Sequence, residues 1–193
     1  MATVTEIPLE AAKIEAAIEA EPDGLYEFVD GHYVEKTLGA SELELANVLA
    51  EMLNAYVKPN RLGRVRIEVI FRLKTSPRLD RRPDVAFVSE STWPADRRIL
   101  PASAWEAVPD LAVEIVSPTN RTNADRQKVH EYFRAGSKAV WVIYPDLATI
   151  YVYSNPKTVT ILTHGDTLDA SPVIPGFTID LGAFFGPQAE ETA

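Results

Sequence analysis

Two short runs decide the fold: Arg82-Pro83-Asp84-Val85-Ala86-Phe87-Val88 and Leu111-Ala112-Val113-Glu114-Ile115-Val116. Both are near-continuous apolar stretches of strand length, the pattern of strands covered on both faces. Each carries one carboxylate. Asp84 follows a proline and opens its run, so its side chain stands where a sheet meets a loop. Glu114 lies inside its run, where an ionised group is costly unless it is paired or bound to a cation. Two readings of Glu114 stand at this point: a salt bridge to a neighbouring Arg, or a cation ligand. Two acids on adjacent strands favour a hard-cation site, because Mg²⁺ takes oxygen donors and usually one or two carboxylates with water and phosphate.

Working outward, residues 122–135 read as a helix with Val129 and Phe133 on its apolar stripe and Gly136 as the stop. Asp125, Lys128 and Tyr132 share one face of it. Either that face is a solvated ion pair, or Lys128 is turned toward the sheet, where it would orient or deprotonate a water or offset phosphate charge. Upstream, residues 64–74 alternate: Val65, Ile67, Val69, Phe71 and Leu73 on one face, Arg64, Arg66, Glu68, Arg72 and Lys74 on the other. That spacing predicts one strand with a buried face and a mostly basic face. Ser41-Glu42-Leu43-Glu44 reads as a capping box opening a helix with Leu45, Val48, Leu49, Met52, Leu53 and Tyr56 at helical spacing and Pro59 as the stop. Asp30-Gly31 between Tyr26-Glu27-Phe28-Val29 and His32-Tyr33-Val34-Glu35 predicts a hairpin. Residues 8–20 predict a short helix, and residues 139–144, 149–153 and 158–163 predict strands. Residues 175–181 predict one last strand, after which the chain frays. Residues 89–110 are a long loop, a frequent place for function. The elements read as a mixed sheet flanked by helices.

Composition narrows the function classes. The 193 residues hold 19 Lys+Arg against 28 Asp+Glu, a net charge of −9, and no Cys. Disulfides, thiolate zinc sites and a Cys nucleophile are therefore excluded. No apolar run is long enough to span a membrane, no signal-peptide pattern opens the chain, and a cytoplasmic location is expected. The charge is uneven. Residues 58–82 carry nine basic and two acidic side chains, whereas residues 1–57 carry two basic and twelve acidic. The basic band is either a solvated strand face or a phosphate-facing strip. There is no Gly-rich phosphate loop, so no nucleotide cofactor is expected. His32, His130 and His164 are scattered, and no Ser-His-Asp arrangement is present.

Pro83-Asp84, Glu114-x-Val116 and a helical Lys128 together resemble the PD-(D/E)XK nuclease superfamily. Within it, six ordered blocks resemble the Uma-type restriction endonucleases: residues 26–35, 82–88, 111–118, Lys128-x-x-x-Tyr132 with Gly136, 140–145 and 171–177. The resemblance implies an α+β or α/β, restriction-endonuclease-like mixed β-sheet flanked by helices. The implied division is an N-terminal helical segment (1–21), one nuclease-like domain (22–185) and a flexible tail (186–193). It also implies a Mg²⁺- or Mn²⁺-dependent endonuclease acting on DNA, with Asp84, Glu114 and the carbonyl of Ile115 as metal ligands. Val116 stands where the motif has its Lys, and the resemblance moves that role to Lys128. Asp125 and Tyr132 would support it. Glu42 takes the place of a helix-start His; the favoured reading is an acid stabilised by the helix dipole. Glu35 has no turn role and is expected to line the site. Arg64, Arg66, Arg72, Lys74, Arg82, Arg121 and Arg126 are the expected DNA-contacting residues, with Arg134 and Lys138 near the same helix. A homodimer is expected, since symmetric dimers are the commonest assemblies. Two alternatives stand beside this reading: a nuclease-fold DNA-binding or assembly protein without activity, and a hydrolase of small phosphate esters.

Overall fold

The computed structural model describes residues 25–36, 39–97, 104–117 and 124–187. The predicted helix over 8–20, the last six residues of the tail and Arg121 lie outside them. Among the described residues, twelve strands form three sheets. In chain order they are β1 (Tyr26–Val29), β2 (His32–Glu35), β3 (Gly63–Ile67), β4 (Phe71–Leu73), β5 (Leu79–Arg81), β6 (Val85–Ser89), β7 (Leu111–Ile115), β8 (Ala139–Tyr144), β9 (Thr149–Asn155), β10 (Thr158–Leu162), β11 (Thr167–Asp169) and β12 (Thr178–Asp180). The α-helices are α1 (Ala40–Val57), α2 (Ala124–Ala135) and α3 (Leu181–Phe185).

The central sheet runs β10-β9-β8-β7-β6-β3. Only β7 and β8 are parallel, and α2 lies on the connection between them. A parallel pair needs a crossover, and a helix covers the face it crosses. Alternation in β6 and β7 then divides two cores. Val85, Phe87, Leu111, Val113 and Ile115 face α1, through Ala46, Leu49, Leu53 and Val57. Ala86, Val88, Ala112 and Val116 face the other way, with Val129 and Tyr132 of α2. Glu114 shares the parity of Ala112 and Val116, so β7 presents it to α2.

The smaller sheet runs β2-β1-β5-β4. Its hairpin is the predicted one: Asp30 and Gly31 both have positive φ, 50° and 83°, as the two-residue turn requires.

Three expectations are corrected. Residues 64–74 are two strands in two sheets, because Glu68 takes φ 53° and turns the chain. Alternation survives the turn because Val65 enters one core while Phe71 and Leu73 enter the other. Ser41 is not a cap: the helix starts at Ala40 after an extended Gly39, and the Ser41 hydroxyl donates to Glu42 instead. The chain does not fray directly after β12, since α3 follows it. Asp180 caps α3 by accepting the Ala183 N–H at 2.7 Å. The described ends of the 89–110 loop pack into the core: Trp93 and Trp105 stack at 5.1 Å, and Trp105 meets Phe71 edge-on.

Candidate active site

The register of β6 against β7 pairs Val85 with Val113, so Asp84 and Glu114 come to the same end of neighbouring strands. Asp84 is 1% exposed. The Ile115 N–H donates to its Oδ2 at 2.5 Å, and Lys36 Nζ donates to its Oδ1 at 2.6 Å. Glu114 is 4% exposed. Lys128 Nζ donates to its Oε2 and the Tyr132 hydroxyl to its Oε1, both at 2.7 Å. Of the two readings left open for Glu114, no Arg salt bridge is formed among the described residues: its cation there is Lys128 of α2. Positions 128 and 132 lie a turn apart on α2, which is why one carboxylate collects both.

Lys36 was not expected. It follows β2, and its backbone N–H is bonded to the Leu25 carbonyl at 2.7 Å, so the hairpin sets its position. Besides Asp84, its ammonium donates to the Arg82 carbonyl at 2.7 Å and to Glu68 Oε1 at 3.0 Å. Glu68 arrives through the turn at its own positive φ, where its N–H bonds the Asp84 carbonyl at 3.2 Å. Its Oε2 is buried without a hydrogen-bond partner. The signal for it was in the sequence: Glu68 is the single acid on the otherwise basic face of residues 64–74.

Electrostatics follow from this crowding. Burial pushes the Glu68 carboxyl up to about 7, against the pull of Lys36 and with help from Asp84. Burial also acts to raise Glu114, but the ammoniums of Lys128 and Lys36 outweigh it and hold that carboxyl below its ordinary range. Burial opposes the charge on Lys128; Glu114 and Glu27 more than offset this, and its ammonium is favoured. Tyr132 is pushed well up by burial and by the Glu114 charge, so it stays a neutral donor. Asp125 is raised by burial, which the nearby Lys128 only partly offsets.

A second buried ionic cluster backs the first. Glu27 accepts from Arg81 Nη1 at 2.6 Å and from the Arg82 N–H at 2.9 Å, and it lies 3.8 Å from Lys128 Nζ. Arg81 also donates to Glu131 at 2.8 Å. Through Glu27, the hairpin is tied to the helix that carries Lys128.

The other expected residues divide. Glu42 is buried in the first turn of α1, as the helix-dipole reading has it. Glu35 is exposed beside Lys36 rather than part of the ionic cluster. Ile115 meets Asp84 through its amide. Much of the basic band is bonded to other groups of the protein. Arg72 and Arg78 both pair with Asp80. Arg82 donates to the Glu68 carbonyl at 2.6 Å, Arg64 to the carbonyls of Pro94 and Ala95, and Arg66 to that of Val65 while lying over Trp105. Lys74 and Arg126 remain exposed. Arg126 lines a cleft of about 410 Å³ with His130, Tyr153 and Lys157 on the outer side of α2. The expected strip is therefore not continuous: its described members stand on both larger sheets and on α2.

Against known families, the sequence pattern of Uma2, described as "Putative restriction endonuclease", matches residues 12–182. The chain belongs to the Uma2 family. Among solved structures it is similar to a protein of Anabaena variabilis ATCC 29413, described as a "putative nuclease belonging to DUF820". The two share 18% identity and superpose with a TM-score of 0.72 over 83% of this chain and 89% of that one. At that identity the likeness speaks for the fold, which is the restriction-endonuclease-like α+β fold. No curated protein matches. Among the described residues, no helix is long and apolar enough to cross a membrane.

Proposed function

We propose that this Uma2 chain is a Mg²⁺- or Mn²⁺-dependent DNA endonuclease whose centre is Asp84, Glu114 and Lys128. The observation that carries the reading is the convergence of two buried carboxylates from neighbouring strands, joined through the Ile115 amide, with a helical ammonium on one of them. Structural proteins rarely bury such a set without need.

The donor set fits a hard cation. Asp84 and Glu114 supply carboxylate oxygens, the Ile115 carbonyl is the proposed third ligand, and Glu68 Oε2 is a buried acceptor without a partner. Among the described residues no three His, Asp or Glu side chains form a ready-made cage; Mg²⁺ needs none, since it keeps several waters. A bound cation supplies Lewis-acid stabilisation of phosphate charge. The protein's own groups do the rest. Lys128 donates to Glu114 at 2.7 Å, and its ammonium is the group proposed to meet a phosphate oxygen or the attacking water. Tyr132 fixes Glu114 from its other oxygen. Asp125, on the same helix face, lies close enough to feel the Lys128 charge and is proposed to support it. Exposed Lys74 and Arg126 are the side chains best placed to meet DNA phosphates. A homodimer would place two such centres on the two strands.

A second reading is favoured by one specific feature. Both carboxylates are already neutralised by lysines, as in a nuclease scaffold kept for DNA binding or assembly. Supercoiled plasmid separates the two. With Mg²⁺, the wild type is expected to nick and linearise it and Asp84→Ala to leave it intact. Retention of DNA in a gel shift, with no product in any divalent metal, would support the binding protein instead.

A further inference from the structure

We propose that Lys36 is a tethered cation occupying the metal position of this site, so that a divalent ion binds at Asp84 only by displacing its ammonium. The proposal rests on the reading of Asp84 and Glu114 as cation ligands and adds a competitor built into the same chain.

The two lysines of the site differ in how fully they are used. An ammonium has three donors. Lys36 spends all three, on Asp84 Oδ1 at 2.6 Å, the Arg82 carbonyl at 2.7 Å and Glu68 Oε1 at 3.0 Å. Its cradle is thus two carboxylates and one carbonyl, the all-oxygen set that a hard cation prefers. A group with no free donor has none to offer a phosphate or a water, which argues against Lys36 as a catalytic residue. It matches instead what a cation does in a crowded anionic site. Asp84 and Glu114 are buried and Glu68 stands half-buried beside them, and their mutual repulsion needs positive charge. Lys128 supplies one charge to Glu114. Lys36 supplies the other, and it does so from a backbone pinned by the Leu25 carbonyl at the foot of the hairpin.

Two consequences follow from charge alone. The metal-free chain folds with its carboxylates compensated, because it carries its own cation. A divalent ion must evict that cation, so its affinity is lower than three clustered carboxylates would otherwise give. Neutralising position 36 exchanges the first property for the second.

The test is Mn²⁺ titration by calorimetry on the full chain, with thermal melting in EDTA alongside. The variants are Lys36→Met, Lys36→Gln and each combined with Asp84→Asn. Lys36→Gln keeps hydrogen-bond donors without charge, and it carries the test if Lys36→Met does not fold in EDTA. Loss of the competing charge at contact distance is expected to tighten Mn²⁺ binding by at least about tenfold. The same variants are expected to melt lower than wild type in EDTA and to gain more on adding Mn²⁺. Asp84→Asn is expected to remove the gain. Lys36→Gln binding Mn²⁺ no more tightly than wild type, while Asp84→Asn still abolishes wild-type binding, would overturn the role of Lys36 and leave the metal site standing. Tightening that survives Asp84→Asn would overturn it as well. Absence of any Asp84-dependent Mn²⁺ binding, in wild type and Lys36→Gln alike, would remove the metal reading itself and this inference with it.

Discussion

Lys36 and Lys128 each close on a buried carboxylate at about the same distance, yet the two halves of the site are built differently. The Lys128 half is assembled by regular structure. β7 turns Glu114 to α2, and one helical turn delivers both Lys128 and Tyr132 to it. The Lys36 half is assembled by irregular backbone. A hairpin exit brings Lys36, a left-handed residue brings Glu68, and a proline-led strand entry brings Asp84. In the first half the lysine donates, among the described residues, to Glu114; in the second all three donors are used. In the proposed function the same ion-pair chemistry serves two ends: Lys128 would act on a substrate, Lys36 would stand in for a cation. Burying either pair is not in itself a gain in stability, because desolvation consumes much of the attraction. That cost is better explained by use than by folding.

The sharpest way to break the comparison is to remove the two acids. Asp84→Asn and Glu114→Gln are each expected to lower DNA cleavage by about a thousandfold. The double variant is expected to be no slower than either single, since groups that act as a unit are not additive. Independent, additive losses in plasmid-nicking rates would mean two unrelated carboxylates. Lys128→Met should lower the cleavage rate by about a hundredfold while DNA affinity in a gel shift changes little, as expected of a group that acts on developing charge. A loss of affinity equal to the loss of rate would recast Lys128 as a binding residue. The smallest effect is expected at Tyr132→Phe. Removing a donor to a buried carboxylate should cost about 1.5–3 kcal/mol in urea unfolding. Cleavage should fall by about tenfold, the low end of the 10–100-fold that loss of a supporting group typically costs. Unchanged stability would show that the hydroxyl does not hold Glu114.

Much of the centre could be read from residues alone, for identifiable reasons. Asp84 and Glu114 stand out because an acid inside or opening an apolar strand contradicts its surroundings. Lys128 and Tyr132 follow from helical spacing. The hairpin follows from Asp30-Gly31, whose conformation few residue pairs share. The rest was hidden by long-range geometry. Residues 64–74 satisfy one alternation while serving two cores, so the break at Glu68 leaves no mark on the pattern, although the acid itself stands out on a basic face. Lys36 is separated from Asp84 by 48 residues and follows an exposed strand, so nothing local points it inward. The basic band misled for the same reason: charge along the sequence does not say that Arg72 and Arg78 are spent on Asp80, or Arg81 on Glu27 and Glu131. The capping box failed because the helix begins one residue earlier than its Ser.

The most direct test of the central claim is a crystal of the full chain soaked in Mn²⁺ and measured at a wavelength where manganese scatters anomalously. The account predicts one anomalous peak within coordination distance of both Asp84 and Glu114, with Lys36 withdrawn from Asp84 and Lys128 still on the Glu114 side. A saturating soak that leaves Lys36 on Asp84, with no peak between the two carboxylates, would contradict it.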